Sequence, residues 1–238
     1  MREYPLLSEA ELEEKPIFGS LAEAREDPKN AYTLELLGEA FFPDEFEEAL
    51  QDLPRLQVLV IQGNPDFTEI PAGIAELQNL QYLEVRECPL ELVAEELGEC
   101  QLLGGLVLAD VRPLAELPAR LGQLERLEYV EISGSEISQL PDAAANWKAV
   151  TELNLMNNKI HRFPAAISGL ESLVTLRMYG NYAMYVGPEI MRAANLRVFD
   201  HGTINFRNTT QAEIKAARPA LVLNQITTHD PVKVLEED

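Results

Sequence analysis

The sequence predicts an α/β solenoid: a curved stack of short coils, with a parallel sheet of about eight or nine short strands on the concave side and a helical N-terminal cap. Three observations carry this. An apolar-x-apolar pair recurs at Leu34/Leu36, Leu59/Ile61, Leu83/Val85, Leu106/Leu108, Val130/Ile132, Leu153/Leu155 and Leu176/Met178, its first members 25, 24, 23, 24, 23 and 23 residues apart. One more step of 23 reaches the decayed pair Phe199/His201. Such a fixed period marks a repeat architecture. An apolar-proline dipeptide punctuates the second half of the units, at Phe42-Pro43, Ile70-Pro71, Leu117-Pro118, Leu140-Pro141 and Phe163-Pro164, with Val93-Ala94 and Gly187-Pro188 as eroded versions. Finally, no unit can bury its leucines alone, so neighbouring units must stack.

The elements follow in chain order. Residues 1–30 form a cap: SEAE (8–11) and SLAE (20–23) have the serine-to-glutamate spacing of helix capping boxes, predicting two short helices before Pro28 that cover the first coil. Residues 31–205 are the repeats. In each, the period-2 pair is a short strand with both apolar side chains turned into the core. The proline then ends regular pairing, and the chain returns through a turn and a short helical or extended piece. Residues 206–224 are a C-terminal cap, with TTQAEIKAARPALVLN (209–224) read as a helix and one last strand. Residues 225–238 are an acidic tail, expected to be loosely held.

Written out, the unit is L-x-x-L-x-x-L-x-L-x-x-N-x-I-x-x-L-P-x-x-I-x-x-L, as in LPRLQVLVIQGN (53–64) followed by IPAGIAELQNL (70–80). It resembles the 23-residue leucine-rich repeat of intracellular proteins, the subtype with L-P-x-x-I in its convex half, which implies a horseshoe solenoid that binds proteins on its concave face. In that repeat an asparagine at the inward turn satisfies backbone groups of the adjoining coil. Here the position reads Asn64, Cys88, Val111, Ser135, Asn158, Asn181 and Ile204, so the third and last coils are expected to be irregular.

Composition bounds the function. No apolar run approaches the ~18 residues of a membrane span, and MREYPLLSEAELEEK lacks the basic start and apolar stretch of a secretory signal. The two cysteines, Cys88 and Cys100, read as small buried apolar groups. Extracellular members of the resembled family carry cysteine clusters in their caps, so a cytoplasmic setting is expected. Net charge is −21, concentrated in residues 1–150, which hold 31 acids against 10 bases, whereas residues 151–220 hold 5 against 8. That balance argues against nucleic-acid or anionic-membrane partners and favours a protein partner with a basic patch.

Strand alternation places three columns of side chains on the concave face. The first reads Thr33, Val58, Tyr82, Gly105, Tyr129, Glu152, Thr175, Val198; the second Glu35, Val60, Glu84, Val107, Glu131, Asn154, Arg177, Asp200; the third Leu37, Gln62, Arg86, Ala109, Ser133, Met156, Tyr179, Gly202. Tyr82 and Tyr129 flank Gly105, and Glu84 and Glu131 flank Val107, with Glu87, Asp110 and Glu152 near. The expected site is therefore an apolar slot with an acidic rim, suited to a partner's lysine or arginine. Candidate partner-binding residues are Val58, Val60, Tyr82, Glu84, Arg86, Val107, Asp110, Tyr129, Glu131, Glu152, Asn154, Met156, Arg177 and Tyr179. A second apolar-aromatic cluster, Met156, Arg177, Tyr179, Tyr182, Met184 and Tyr185, reads equally well as packing of the C-terminal cap.

No phosphate-cradling glycine loop, G-x-S-x-G, H-E-x-x-H or C-x-x-C occurs. The three histidines (His161, His201, His229) are far apart, and His201 reads as a residue of the decaying last coil. The expectation is a monomeric, cofactor-free, metal-free, non-enzymatic interaction module. The alternative is an inhibitor that captures a basic enzyme electrostatically, since the strongly acidic ribonuclease-inhibitor family works by that charge logic on a different repeat subtype.

Overall fold

The computed structural model describes residues 6–182, 186, 189–202 and 211–225. Ten strands form one parallel sheet in simple sequential stacking. They are β1 (Ile17–Phe18), β2 (Thr33–Leu37), β3 (Val58–Gln62), β5 (Tyr82–Arg86), β7 (Gly105–Ala109), β8 (Tyr129–Ser133), β9 (Glu152–Asn154), β10 (Thr175–Arg177), β11 (Val198–Asp200) and β12 (Val222–Asn224). Two further strands, β4 (Glu69–Ile70) and β6 (Leu92–Val93), pair separately on the descending side. Each strand pairs with its neighbour through equivalent positions, so Val58, Tyr82, Gly105, Tyr129 and Glu152 stand side by side in one row.

The inward leucines make one continuous core along the stack. Leu34, Leu59, Leu83, Leu106, Val130, Leu153, Leu176 and Phe199 are all buried. On the convex side the predicted return pieces are 3₁₀ helices at Ala72–Glu76, Glu95–Glu99, Ala119–Gln123, Asp142–Asn146 and Ala165–Gly169. Proline directly precedes four of them, its fixed φ suiting the extended residue that enters a helix. The first full coil uses an α-helix there instead, α3 (Pro43–Leu50), whose Phe46 joins Phe41 and Phe67 in an aromatic cluster.

At the end of each strand the chain turns inward through a left-handed residue. This row reads Gly38, Gly63, Glu87, Asp110, Gly134, Asn157, Gly180 and Gly202, all at positive φ. Six of these residues donate their N–H to a carbonyl of the next coil, extending the sheet by one bond per coil (Gly38 to Gln62 O, 2.7 Å; Asp110 to Ser133 O, 2.9 Å). The asparagine turn behaves as its chemistry requires. Asn158 Nδ2 donates to Ile132 O and Leu155 O, and Asn181 Nδ2 to Leu155 O and Met178 O. Ile204 lies outside the described residues.

Both predicted N-terminal helices form, as α1 (Glu9–Glu13) and α2 (Leu21–Glu26). Their placement corrects the expectation that both cover the first coil. Only α2 buries side chains, Leu21 and Ala24. α1 buries none, and Leu7 just before it is tied instead to Gln57 and Gln81 of later coils, leaving Glu9 and Leu12 along a cleft with Val58 and Tyr82. The reason is compositional: EAELE offers a single leucine, too little apolar surface to seal an open coil. The edge strand β1 takes that place. At the other end a helix, α5 (Gln211–Ala217), and the strand β12 form where the sequence predicts them, after the short α4 (Glu189–Arg192). Arg218 ties this cap back, donating to the carbonyls of Ile190, Ala193, Ala194 and Leu196. The tail beyond residue 225 lies outside the described residues.

Cys88 and Cys100 are free and buried. Burial pushes the Cys100 thiol up to about 12.

Candidate functional site

The concave face has a pronounced centre, and β7 explains it. Its three outward residues, Gly105, Val107 and Ala109, are small, so larger side chains of the neighbouring strand β5 lie down over them. A Cβ on Gly105 would sit 2.5 Å from Tyr82 Cδ2, so the tyrosine ring rests on that glycine. Arg86 does the same over Ala109 and Val107. Its Nε donates to Glu84 on its own strand at 2.6 Å, and its guanidinium reaches Glu131 two strands away at 3.6 Å. Two strand spacings are about 9–10 Å, a span arginine can cover only where the strand between has nothing tall on it.

The acids are held from the other side too. Tyr82 Oη donates to Glu84 Oε2 at 2.5 Å, Tyr129 Oη to Glu131 Oε2 at 2.9 Å, and Ser133 Oγ to Glu131 Oε1 at 2.7 Å. Burial, then the hydrogen bond and charge of Glu131, pushes the Tyr129 hydroxyl up to about 12. The same causes raise Tyr82, with Glu84 as its acceptor. Burial alone would lower Arg86, but the hydrogen bond and charge of Glu84, then Glu131, outweigh it and raise its pKa. Both phenols therefore stay protonated donors at neutral pH, and the guanidinium stays charged.

This revises the expected slot. Val107 is fully buried rather than a floor open to a partner, and Glu131 is 9 % exposed. The gap over Gly105 is filled by the Tyr82 ring. The acidic rim already holds a cation, Arg86, which leaves the cluster of two carboxylates and one guanidinium with a single net negative charge. Asp110 belongs elsewhere: it occupies a left-handed turn at the edge of the sheet and lines a shallow open depression with Glu87, Arg112 and Gly134.

A second clamp repeats the motif further along. Arg177 reaches Glu152 at 3.0 Å and Asp200 at 3.5 Å, and Asn224 Nδ2 donates to Asp200 Oδ1 at 2.8 Å. Asn154 is buried, its Oδ1 accepting the Met156 N–H. Val58, Val60, Met156 and Tyr179 remain partly exposed. Tyr182 is exposed and stacks on His161, with ring centroids 4.9 Å apart. Met184 and Tyr185 lie outside the described residues.

What sequence reasoning missed is the arginine bridge. Its signal was present, since Arg86 stands two residues from Glu84 on the same face and the small β7 residues sit between it and Glu131. Among the described residues, no group of three or more His, Cys, Asp or Glu converges to hold a metal. No described helix is long and apolar enough to cross a membrane.

Comparisons with known proteins agree with this architecture. Residues 125–182 match the family model described as Leucine rich repeat. No curated protein sequence matches the chain. A Leptospira interrogans leucine-rich-repeat protein is similar in structure, with a TM-score of 0.69 and 22 % identity over 89 % of this chain and 64 % of its own. The leucine-rich repeat domain of the type III effector XopL has a TM-score of 0.68 and 20 % identity over 86 % of this chain and 79 % of its own. The plant peptide hormone receptor RGFR1, in complex with RGF2, has a TM-score of 0.58 and 25 % identity over 79 % of this chain and 31 % of its own. The chain thus spans less than two thirds of the Leptospira protein and under a third of the receptor. The fold is that of a leucine-rich repeat solenoid.

Proposed function

We propose that the chain is a non-catalytic protein-interaction module, and that its partner docks on the concave face over β5, β7 and β8. The observation that carries this reading is the ordered Tyr82–Glu84–Arg86–Glu131–Tyr129 network. Tyrosine and arginine are the side chains that most often anchor interfaces. Here they are held by fixed hydrogen bonds, so docking immobilises few rotamers and the entropic cost of association falls. The residual negative charge and the surrounding acidity favour a partner with a basic patch. The structural similarity to RGFR1, which is in complex with RGF2, supports a peptide or protein ligand. Two free, buried cysteines accord with a cytoplasmic setting.

A second reading, capture of a basic enzyme, draws on the net charge of −21. Salt separates the two. Binding through steering falls steeply with ionic strength, whereas an interface built on Tyr82 and Tyr129 resists it.

The test is affinity capture from native-source lysate with mass spectrometry, comparing wild type with the Tyr82→Ala/Glu84→Gln/Tyr129→Ala/Glu131→Gln variant. A protein retained by wild type and lost by the folded variant supports the reading. Equal capture by both moves the site off this face.

A further inference from the structure

None of residues 6–20 is buried, and among the described residues the first buried side chain is that of Leu21. The segment nevertheless has a defined seat. The Leu7 N–H donates to Gln57 Oε1 at 3.0 Å, and the Leu7 carbonyl accepts from Gln81 Nε2 at 3.5 Å. Gln81 Nε2 also donates to Gln57 Oε1 at 2.7 Å, which sets both amides in one orientation. Gln57 is fully buried beneath the seated segment, its amide oxygen shared between the Leu7 N–H and the Gln81 amide.

The chemistry is specific for main chain. One residue presents its N–H and its carbonyl, and two glutamine amides take both, as an adjacent strand would. Nothing in that pair of contacts reads a side chain. Side-chain choice falls to the neighbouring cleft of about 430 Å³, lined by Val58, Gln81 and Tyr82 on the sheet and by Leu7, Ser8, Glu9 and Leu12 on the segment. The two sides are unequal. The sheet side is held by strand pairing on both flanks, whereas α1 is five residues long, with one backbone turn from the Leu12 N–H to the Ser8 carbonyl and a capping box in which Glu11 accepts from the Ser8 N–H and Oγ. A helix that short is marginal in water.

We propose that the Gln57–Gln81 amide pair and the cleft over Val58 and Tyr82 are a binding site for an extended peptide bearing an apolar side chain, and that the chain's own residues 7–12 are its displaceable occupant. This deepens the reading of the concave face, on which it rests. The site borders Tyr82, whose hydroxyl holds Glu84, so a partner that displaces the segment gains continuous access from Gln57 to the arginine bridge.

The experiment titrates the ¹⁵N-labelled full-length chain with an unlabelled synthetic peptide of its own residues 1–15. The amide signals of Leu7 to Glu13 move to unstructured positions as the peptide takes the seat, while β3 and β5 signals stay folded. Leu7→Pro, which removes the donor N–H from the resident segment, lowers the peptide concentration for half-displacement about tenfold, the equivalent of one net hydrogen bond. Gln81→Leu weakens peptide binding. Amides of α1 that exchange as slowly as those of β3 and β5, absence of displacement, or displacement indifferent to Leu7→Pro and Gln81→Leu would each overturn the proposal. No external partner is needed, so failure here leaves the concave-face reading standing. Loss of partner capture alone would leave this site standing.

Discussion

Replacing Gly105 with alanine should destabilise the protein, against the usual sign for such a change. In an ordinary strand, alanine in place of glycine stabilises by about 0.5–1 kcal/mol, because it orders the unfolded chain less expensively. Here the new Cβ would lie 2.5 Å from Tyr82 Cδ2 and 2.9 Å from Cε2. Carbon atoms rest at about 3.5–4.0 Å, so the ring must retreat by about 1 Å or more. Overpacking of this kind costs about 1–3 kcal/mol. The retreat also loosens the Tyr82–Glu84 hydrogen bond, worth about 1.5 kcal/mol for a charged acceptor that is partly exposed. After the glycine offset, the net loss is about 1–2 kcal/mol, or roughly 3–6 °C in melting temperature for a chain of this size. Urea unfolding followed by circular dichroism and by fluorescence of Trp147 measures it. The decisive comparison is the same substitution in a Tyr82→Ala background. With the ring gone, Gly105→Ala becomes neutral or stabilising, giving a coupling of about 2 kcal/mol between the two sites. Stabilisation in the wild type, or an equal cost in both backgrounds, would refute the placement of Tyr82 over β7.

Three further outcomes follow from the same geometry. Arg86→Met should cost about 1–2 kcal/mol by leaving Glu84 and Glu131 without their shared cation, and adding Glu131→Gln should cost less than the sum of the single changes, as a double-mutant cycle in urea reads directly. Gly134→Ala should destabilise by more than about 1 kcal/mol, since φ is +62° and the new Cβ would land on Asp110 Oδ1; thermal melts compared with Gly104→Ala, where nothing lies closer than 3.8 Å, isolate the effect. His201 sits at the second inward position of its coil, 2 % exposed, and burial lowers its pKa despite the opposing pull of its own backbone surroundings and Asp200. The unfolded chain then binds the proton more readily, so this group withdraws stability as pH falls through about 6.5. His201→Leu should gain on wild type progressively as melting temperatures are taken from about pH 7.5 to about pH 5.5, and a pH-independent difference would show that burial does not control the group.

Much of the architecture was legible because repeats state their register many times over. The Leu-x-Leu pairs placed the strands of the main sheet from β2 to β11, the apolar-proline dipeptides placed the start of four of the convex return pieces, and the capping boxes at Ser8 and Ser20 placed α1 and α2, each from interactions within one coil. Features that depend on two coils at once were not legible. The docking of the segment before α1 depends on Gln57 and Gln81, far along the chain, which bond Leu7, and the local sequence says only that a helix follows. Arg86 was counted among the partner contacts because a single strand does not reveal that its guanidinium can lie across a neighbour made of Gly105, Val107 and Ala109. Val107 looked like an exposed floor because alternation fixes only which side of the sheet a residue faces. Whether it meets solvent there depends on the length of the residues beside it. The left-handed row is visible in its glycines, Gly38, Gly63, Gly134, Gly180 and Gly202, and hidden where Glu87, Asp110 and Asn157 adopt the same conformation.

If the ordered concave network is the binding surface, ligands selected on the protein should depend on its tyrosines and acids. Selection of a random peptide library on the wild-type protein, followed by fluorescence polarisation of the enriched peptides against wild type and the Tyr82→Ala/Glu84→Gln/Tyr129→Ala/Glu131→Gln variant, tests it most directly. The expected peptides are enriched in lysine and arginine, and their affinity falls at least about tenfold in the folded variant, the loss of one good interface anchor. Peptides that bind the variant as tightly as the wild type would place the binding surface elsewhere on the solenoid.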